Sequence, residues 1–261
     1  MFVWIDGSGC PHSVSNIFNQ PMFRMKVEIW SDVMCPFCYI GKRNFEEALN
    51  KFSEKSSVET VWRSFQLDPT LPKNGSSETT YSYLAEKKGV SEEQARQMTD
   101  SVAQRAAESG LKLHFEKAVV ANTFDAHRLS HFAQRQGLGN EIEEQLFSAH
   151  FSGGENIADN DVLVKLGQSI GLNGEEISEM LQSTEFSNEV NADIREASVL
   201  GVRGVPFFVF NRKYAVSGAQ PSEVFLQTLE KSFAEWRAAN PLPVFVQMSE
   251  GPSCTPESGC N

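Results

Sequence analysis

The chain has no run of about 18 apolar residues, the length a helix needs to cross a bilayer, so no membrane-spanning segment is expected. It has no basic excess either. With 34 acidic against 23 basic residues, the formal charge of -11 repels nucleic-acid backbones and anionic lipid surfaces, and no local basic patch offsets it. Cysteine is sparse: five in 261 residues, an odd count, is not the dense framework of a small secreted scaffold. Residues 1–24 interrupt their apolar positions with Asp6, Gly7, Pro11 and Asn16, so the continuous apolar stretch of a secretory signal is missing. These absences lead us to expect a soluble cytoplasmic protein, with no nucleic-acid and no membrane partner, whose thiols are reduced, buried or catalytic. No internal repeat is evident, and oligomeric state leaves no mark in the sequence.

What is present is enough apolar residue, 40% of the chain, to bury a substantial core. Lys26 to Ser31 places Val27 and Ile29 on one side and Glu28 on the other, a strand pattern, and Val58 to Phe65 is a second strand candidate. Between them Pro36 to Ser53 has helical periodicity, which makes a β-α-β unit and a parallel strand pair. A turn-rich stretch from Asp68-Pro69 to Ser76-Ser77 breaks the pattern. From Thr79 to about Leu200 the sequence reads as helices, Ser91-Glu92-Glu93-Gln94 resembling a capped start. Strand character returns at Pro206 to Phe210 and Tyr214 to Val216, a hairpin, before a last helix at about Ser222 to Ala239. The expected division is an N-terminal extension, 1–24; an α/β domain in two parts, 25–66 and 200–240; an all-helical insertion, 67–199; and a tail, 241–261, that carries Cys254 and Cys260.

Cys35-Pro36-Phe37-Cys38 is the segment that carries chemistry. Pro36 suits the first helical turn, where its missing N–H costs nothing, so Cys35 falls at the helix N-terminus. Unpaired N–H groups and the positive end of the helix dipole stabilise a thiolate there. On a helical wheel Cys38 shares a sector with Phe45, Leu49 and Phe52, so it turns inward. The expectation is an exposed nucleophile, Cys35, and a shielded resolving thiol, Cys38. Half of a tetrahedral zinc site has the same spacing, but a zinc ribbon needs a second close pair, and here the motif follows a strand and opens a helix. No metal and no organic cofactor are expected. Lys42 and Arg43, about two turns on, read as solvated.

The run Val27 to Arg43 resembles the active-site region of the DsbA-like family, specifically its cytoplasmic FrnE-like branch. Asn122-Thr123-Phe124-Asp125-Ala126-His127-Arg128-Leu129 is similar to that family's helical-domain signature, and Gly201 to Phe208 to its loop before the hairpin. Three separated motifs in order, over about residues 25 to 240, make the likeness specific. It implies a thioredoxin-like fold with an all-helical domain inserted between the β-α-β unit and the C-terminal β-hairpin plus helix. It also implies that Val205-Pro206 is a cis peptide facing the cysteines, where Val205 and Pro206, with Pro36 and Phe37, contact substrate. Without the resemblance, Pro206 reads as an ordinary trans proline opening an edge strand. His127 and Arg128 invite a catalytic role near a thiolate, yet on a helix bearing Phe124, Leu129 and Phe132 a packed or capping histidine explains them as well. His127 is kept as an auxiliary candidate.

Cys254 to Cys260, with Pro and Gly between, could close into an accessory redox disulfide or be a plain tail; Cys10 reads as a bystander. The function expected is a thiol-disulfide oxidoreductase or isomerase acting on thiol- or disulfide-bearing proteins or small molecules, with glutathione as a candidate co-substrate. One alternative is a glutathione-dependent isomerase or transferase of the kappa-class or 2-hydroxychromene-2-carboxylate isomerase type, which resembles this chain at Asn122 to Leu129 but commonly has Ser at the position of Cys35. The other is a non-enzymatic chaperone-like module, to which nineteen phenylalanines lend some weight; aromatic residues at helical spacing usually form core.

Overall fold

The computed structural model describes residues 24–73 and 75–241, together with the backbone of two short strands near the C-terminus. Cys10 lies outside the described residues. Strand β1 (Met25–Ser31) leads into helix α1 (Pro36–Lys51), and β2 (Val58–Ser64) returns parallel to β1 with Met25 opposite Val58 and Ser31 opposite Ser64. Seven helices follow: α2 (Thr80–Lys88), α3 (Glu92–Glu108), α4 (Phe124–Arg135), α5 (Gly139–Ser148), α6 (Asn160–Ser169), α7 (Gly174–Gln182) and α8 (Ser187–Val199). The chain then re-enters the sheet as the hairpin β3 (Phe207–Phe210) and β4 (Tyr214–Ser217) and closes with α9 (Ser222–Ala239). The sheet order is β2-β1-β3-β4, with β1 antiparallel to β3 and β3 to β4. This is a mixed α/β, thioredoxin-like fold with a helical region between its two halves.

Local chemistry places several boundaries. Ser91 and Gln94 form the reciprocal capping box that opens α3. Asn122 accepts from the Phe124 N–H at 2.9 Å, so the cap of α4 comes from the residue before Thr123, whose own side chain makes no cap bond. One face of the sheet packs on α1 and α9 through Phe45, Phe208, Phe225 and Trp236. Phe45 and Phe225 meet edge to face at 5.9 Å, the aromatic geometry expected in a dense core. On the other face Trp30, Val202 and Val209 meet Ala197 of α8.

The alternation expected for β1 fails at Glu28, which is buried like its neighbours. Both faces of β1 are covered, and the carboxylate is tolerated because Arg63 bonds it at 2.6 Å and Arg212 pairs with it from the turn after β3. Arg63 also reaches Asp193 of α8 at 2.9 Å, which clips that helix to the sheet. At the outer edge of β2, the Gln134 amide takes the place of a neighbouring strand: its Oε1 accepts from the Trp62 N–H at 2.7 Å and its Nε2 donates to the Trp62 carbonyl at 3.3 Å.

Candidate active site

Cys35 is the N-cap of α1, extended at φ -91°, with Pro36 in the first turn. Its N–H donates to the Asp32 carbonyl at 2.9 Å, and the Cys38 N–H donates to the Cys35 carbonyl at 3.0 Å, so a tight turn leads from strand into helix. The Sγ of Cys35 lies 3.5 Å from the carbonyl oxygen of Val205, and Val205-Pro206 is a cis peptide. The two halves of the chain thus meet at the sulfur. Close packing holds them there: a Cβ on Gly41 would come within 2.9 Å of Pro206 Cγ, so only glycine lets α1 approach this loop. Phe37 is exposed beside the site with the Arg105 guanidinium over its ring.

Both cysteines are free thiols, and their surroundings differ from expectation in one respect. Cys38 is buried, as its place on the wheel predicted. Cys35, expected exposed, is only 5% exposed. The reason is tertiary: the helical region overhangs the start of α1 and turns it into the floor of a cavity of about 750 Å³, open at its mouth, that is walled by Phe115 and Phe151, by Leu84 and Val102, and by Val205. Burial pushes the Cys38 thiol well above its ordinary value; the neighbouring Cys35 adds to this, while the Ser31 hydroxyl and the Asp32 main chain act the other way.

Behind the cysteines sits a buried polar group that sequence reasoning missed. Asp32 accepts from the Leu67 N–H at 2.7 Å and lies 3.6 Å from His127 Nε2, which also faces the Phe65 carbonyl at 2.9 Å. Both partners are acceptors, so Nε2 carries a proton. Burial disfavours the charged ring of His127, but the Asp32 carboxylate beside it outweighs this and raises its pKa. His127 therefore hydrogen-bonds the Phe65 carbonyl and pairs electrostatically with Asp32 rather than with a cysteine. Arg128 is further removed. It donates to the carbonyls of Ser183 and Glu185 at 2.8 Å each and to Met180, which ties down the end of α7.

His150, also missed, lines the cavity from the turn Ala149–Gly153. Its Nδ1 is buried and has no hydrogen-bond partner among the described residues, and burial lowers its pKa to about 4. Nothing in the sequence marks it, because its neighbourhood is assembled from distant segments. Asp32 left a faint trace, a carboxylate between a strand and the cysteine helix.

Lys42 and Arg43 are not solvated as expected. Lys42 is buried and bonds Glu46 at 2.5 Å and Glu144 at 2.7 Å, and Arg43 pairs with the same two carboxylates. The partner that draws them in, Glu144, comes from α5, where periodicity on α1 could not reveal it. In the tail, strands β5 (Cys254–Thr255) and β6 (Gly259–Cys260) pair antiparallel with Cys254 opposite Cys260; their side chains lie outside the described residues. Among the described residues no cluster of three or more His, Cys, Asp or Glu could hold a metal ion, and no helix is long and apolar enough to cross a membrane.

A cysteine pair heading a helix, set against a cis-proline loop on this sheet, is the arrangement of thioredoxin-fold thiol-disulfide proteins. Comparison with known proteins narrows the class. The chain belongs to the DSBA-like thioredoxin domain family, whose model matches residues 26–230; this is a family of thiol-disulfide oxidoreductases. It is similar to a probable DsbA oxidoreductase, SCO1869 from Streptomyces coelicolor, with 38% identity over 91% of this chain and 99% of that one and a TM-score of 0.76. It is 27% identical to the uncharacterized protein YwbO of Bacillus subtilis (strain 168), over 76% of this chain and 92% of that protein. The cytosolic disulfide reductase DsbM from Pseudomonas aeruginosa, solved with GSH, shares the fold at 17% identity and a TM-score of 0.55, over 83% of this chain and all of that one.

Proposed function

We propose that this protein exchanges dithiols and disulfides through Cys35 as the attacking thiol and Cys38 as the resolving thiol. The Cys35 thiolate attacks one sulfur of a substrate disulfide, a mixed disulfide forms, and the other substrate sulfur leaves as a thiolate. Cys38 then attacks Cys35 Sγ, the intramolecular disulfide forms, and the second substrate thiolate leaves. Two electrons pass to the substrate, and the protons given up by the two cysteines are taken by the departing thiolates. An external dithiol returns the protein to its reduced form; run backwards, the same steps oxidise a dithiol.

The observation that carries this reading is the placement of Cys35 Sγ at the helix start, 3.5 Å from the Val205 carbonyl, with a second free thiol buried one turn behind it. Val205 and Pro206, with Pro36 and Phe37 across from them, would flank a bound disulfide, the Val205 main chain being the group an extended substrate can pair with. His127, bonded to the Phe65 carbonyl and paired with Asp32, has no direct part in this scheme. A glutathione-dependent isomerase needs no second thiol at this position, so Cys38 favours exchange. Replacement of Cys35 by Ser is expected to abolish turnover in a dithiothreitol-coupled disulfide assay; activity that persists in this variant rejects the assignment.

A further inference from the structure

Cys35 can be met by a substrate only by way of the cavity above it, and the walls of that cavity restrict what can enter. At about 750 Å³ it has the size of a small-molecule site rather than of a shallow protein-docking surface. Its inner wall is aromatic and aliphatic. Charge is kept to the rim: Lys87 is held by Asp68 at 2.6 Å, and Lys88 is exposed. No buried cation in the lining stands ready to compensate an ionised group carried inside, and burying an unpaired carboxylate is strongly unfavourable.

The hydroxyls in the lining are already engaged, Thr80 with the Ala118 carbonyl, Tyr83 with Asp68, Thr99 with the Arg96 carbonyl and Ser101 with the Gln97 carbonyl, and His150 is the exception. The His150 imidazole is buried, its Nδ1 has no partner among the described residues, and burial keeps the ring uncharged at neutral pH. Nδ1 itself is closed to the cavity, but the small part of the ring that remains exposed borders it, and a ligand group able to hydrogen-bond can meet the imidazole there. A neutral ring suits a hydroxyl or amide.

We infer that the substrate of this site is a low-molecular-weight disulfide, or the corresponding thiol, with a bulky apolar body that fills the cavity and one neutral hydrogen-bonding group that meets His150. This rests on the thiol-exchange reading above and specifies its substrate. The depth of Cys35 disfavours folded proteins, whose disulfides cannot be carried to the floor of a cavity, and the apolar inner wall disfavours glutathione, whose carboxylates and ammonium find charged lining groups only at Lys87, Lys88 and Asp68. In the exchange, one sulfur of the small disulfide bonds to Cys35 while the apolar body stays in the cavity, and attack by Cys38 on Cys35 releases it as a thiolate. His150 is a positioning residue in this scheme, since it touches the body of the substrate and not the reacting sulfurs.

The full-length protein, with dithiothreitol as reductant, is to be assayed on four disulfides: hydroxyphenylbutyl hydroxyethyl disulfide, bis(hydroxyethyl) disulfide, glutathione disulfide, and an unfolded polypeptide with one disulfide, each corrected for its uncatalysed rate. The expected result is a kcat/KM for the hydroxyphenylbutyl compound at least about tenfold above each of the others, the factor that about 1.4 kcal/mol of binding supplies. A flat profile overturns the proposal, and so does a preference for glutathione disulfide or for the polypeptide. Loss of all turnover in Cys35→Ser alongside a flat profile rejects the substrate class alone; turnover retained in Cys35→Ser rejects the exchange reading and this proposal with it. His150→Leu is expected to raise KM for the hydroxyphenylbutyl compound several-fold with kcat little altered, and His150→Gln to restore it; a change confined to kcat removes His150 from substrate binding. The substrate panel uses the unaltered protein, so it decides even where a variant does not fold.

Discussion

Two thiols one helical turn apart occupy unlike surroundings, and their reactivity should divide accordingly. Cys35 faces the cavity, whereas Cys38 is 1% exposed and held in its protonated form by burial. Iodoacetamide at neutral pH is therefore expected to modify Cys35 and spare Cys38 until the protein is unfolded, as peptide mass mapping would read; equal labelling of both would contradict the polarity of the pair. The buried histidines divide in the same way. His150, near 6.5 when unfolded and about 4 when folded, contributes stability that is present above about pH 6.5 and is lost as pH falls toward 4, on the order of 3 kcal/mol. His127, raised by Asp32, has the opposite sign: its contribution is complete below about pH 6.5 and fades as pH rises through the raised value. His150→Leu should thus flatten the fall of the urea midpoint between pH 6.5 and 4.5; a fall as steep as that of the unaltered protein would show that other groups govern it. Neither histidine's environment was legible in the sequence. Asp32 and His127 lie far apart in the chain, and spacing carries no record of which side chains a fold brings together.

At the scale of elements, what is local was legible and what is composed of distant parts was not. The capping box at Ser91, the proline at the head of α1 and the hairpin before α9 each depend on a handful of consecutive residues, so pattern reading located them. Glu28 and Lys42 read as solvent-facing because their partners, Arg212 and Glu144, arrive from elements far along the chain. Gly41 has the same character: a glycine inside a helix reads as a weakness, yet it is the point where α1 meets Pro206 and Phe208. Gly41→Val should force the helix from this loop and cost about 1–3 kcal/mol in urea unfolding, with a matching loss of turnover because both cysteines ride on α1. A stability change below about 0.5 kcal/mol would show that the loop yields without cost.

For the whole molecule, the sequence conveyed the order of parts, since a β-α-β unit, a helical run and a hairpin with a helix each have their own periodicity. It did not convey that the helical run would bury Cys35 at the floor of a cavity, which depends on how the helices settle against one another. The tail presents a separate question at this scale. Cys254 and Cys260 stand opposite each other in a two-stranded pair, and we propose that they form an accessory disulfide able to exchange with Cys35 and Cys38. Truncation before Cys254 is then expected to slow turnover and shift the measured redox potential of the central pair; if both values stay where they were, the tail has no part in the relay.

The Gln134 amide on the edge of β2 has a further consequence. A sheet with two bare margins can be copied onto a neighbour, strand by strand. By occupying the main-chain groups of Trp62, Gln134 closes one margin to such annealing. In the four-stranded sheet the short strand β4 is then the margin left to a second copy, and Tyr214–Ser217 offer little template for polymerising strand on strand.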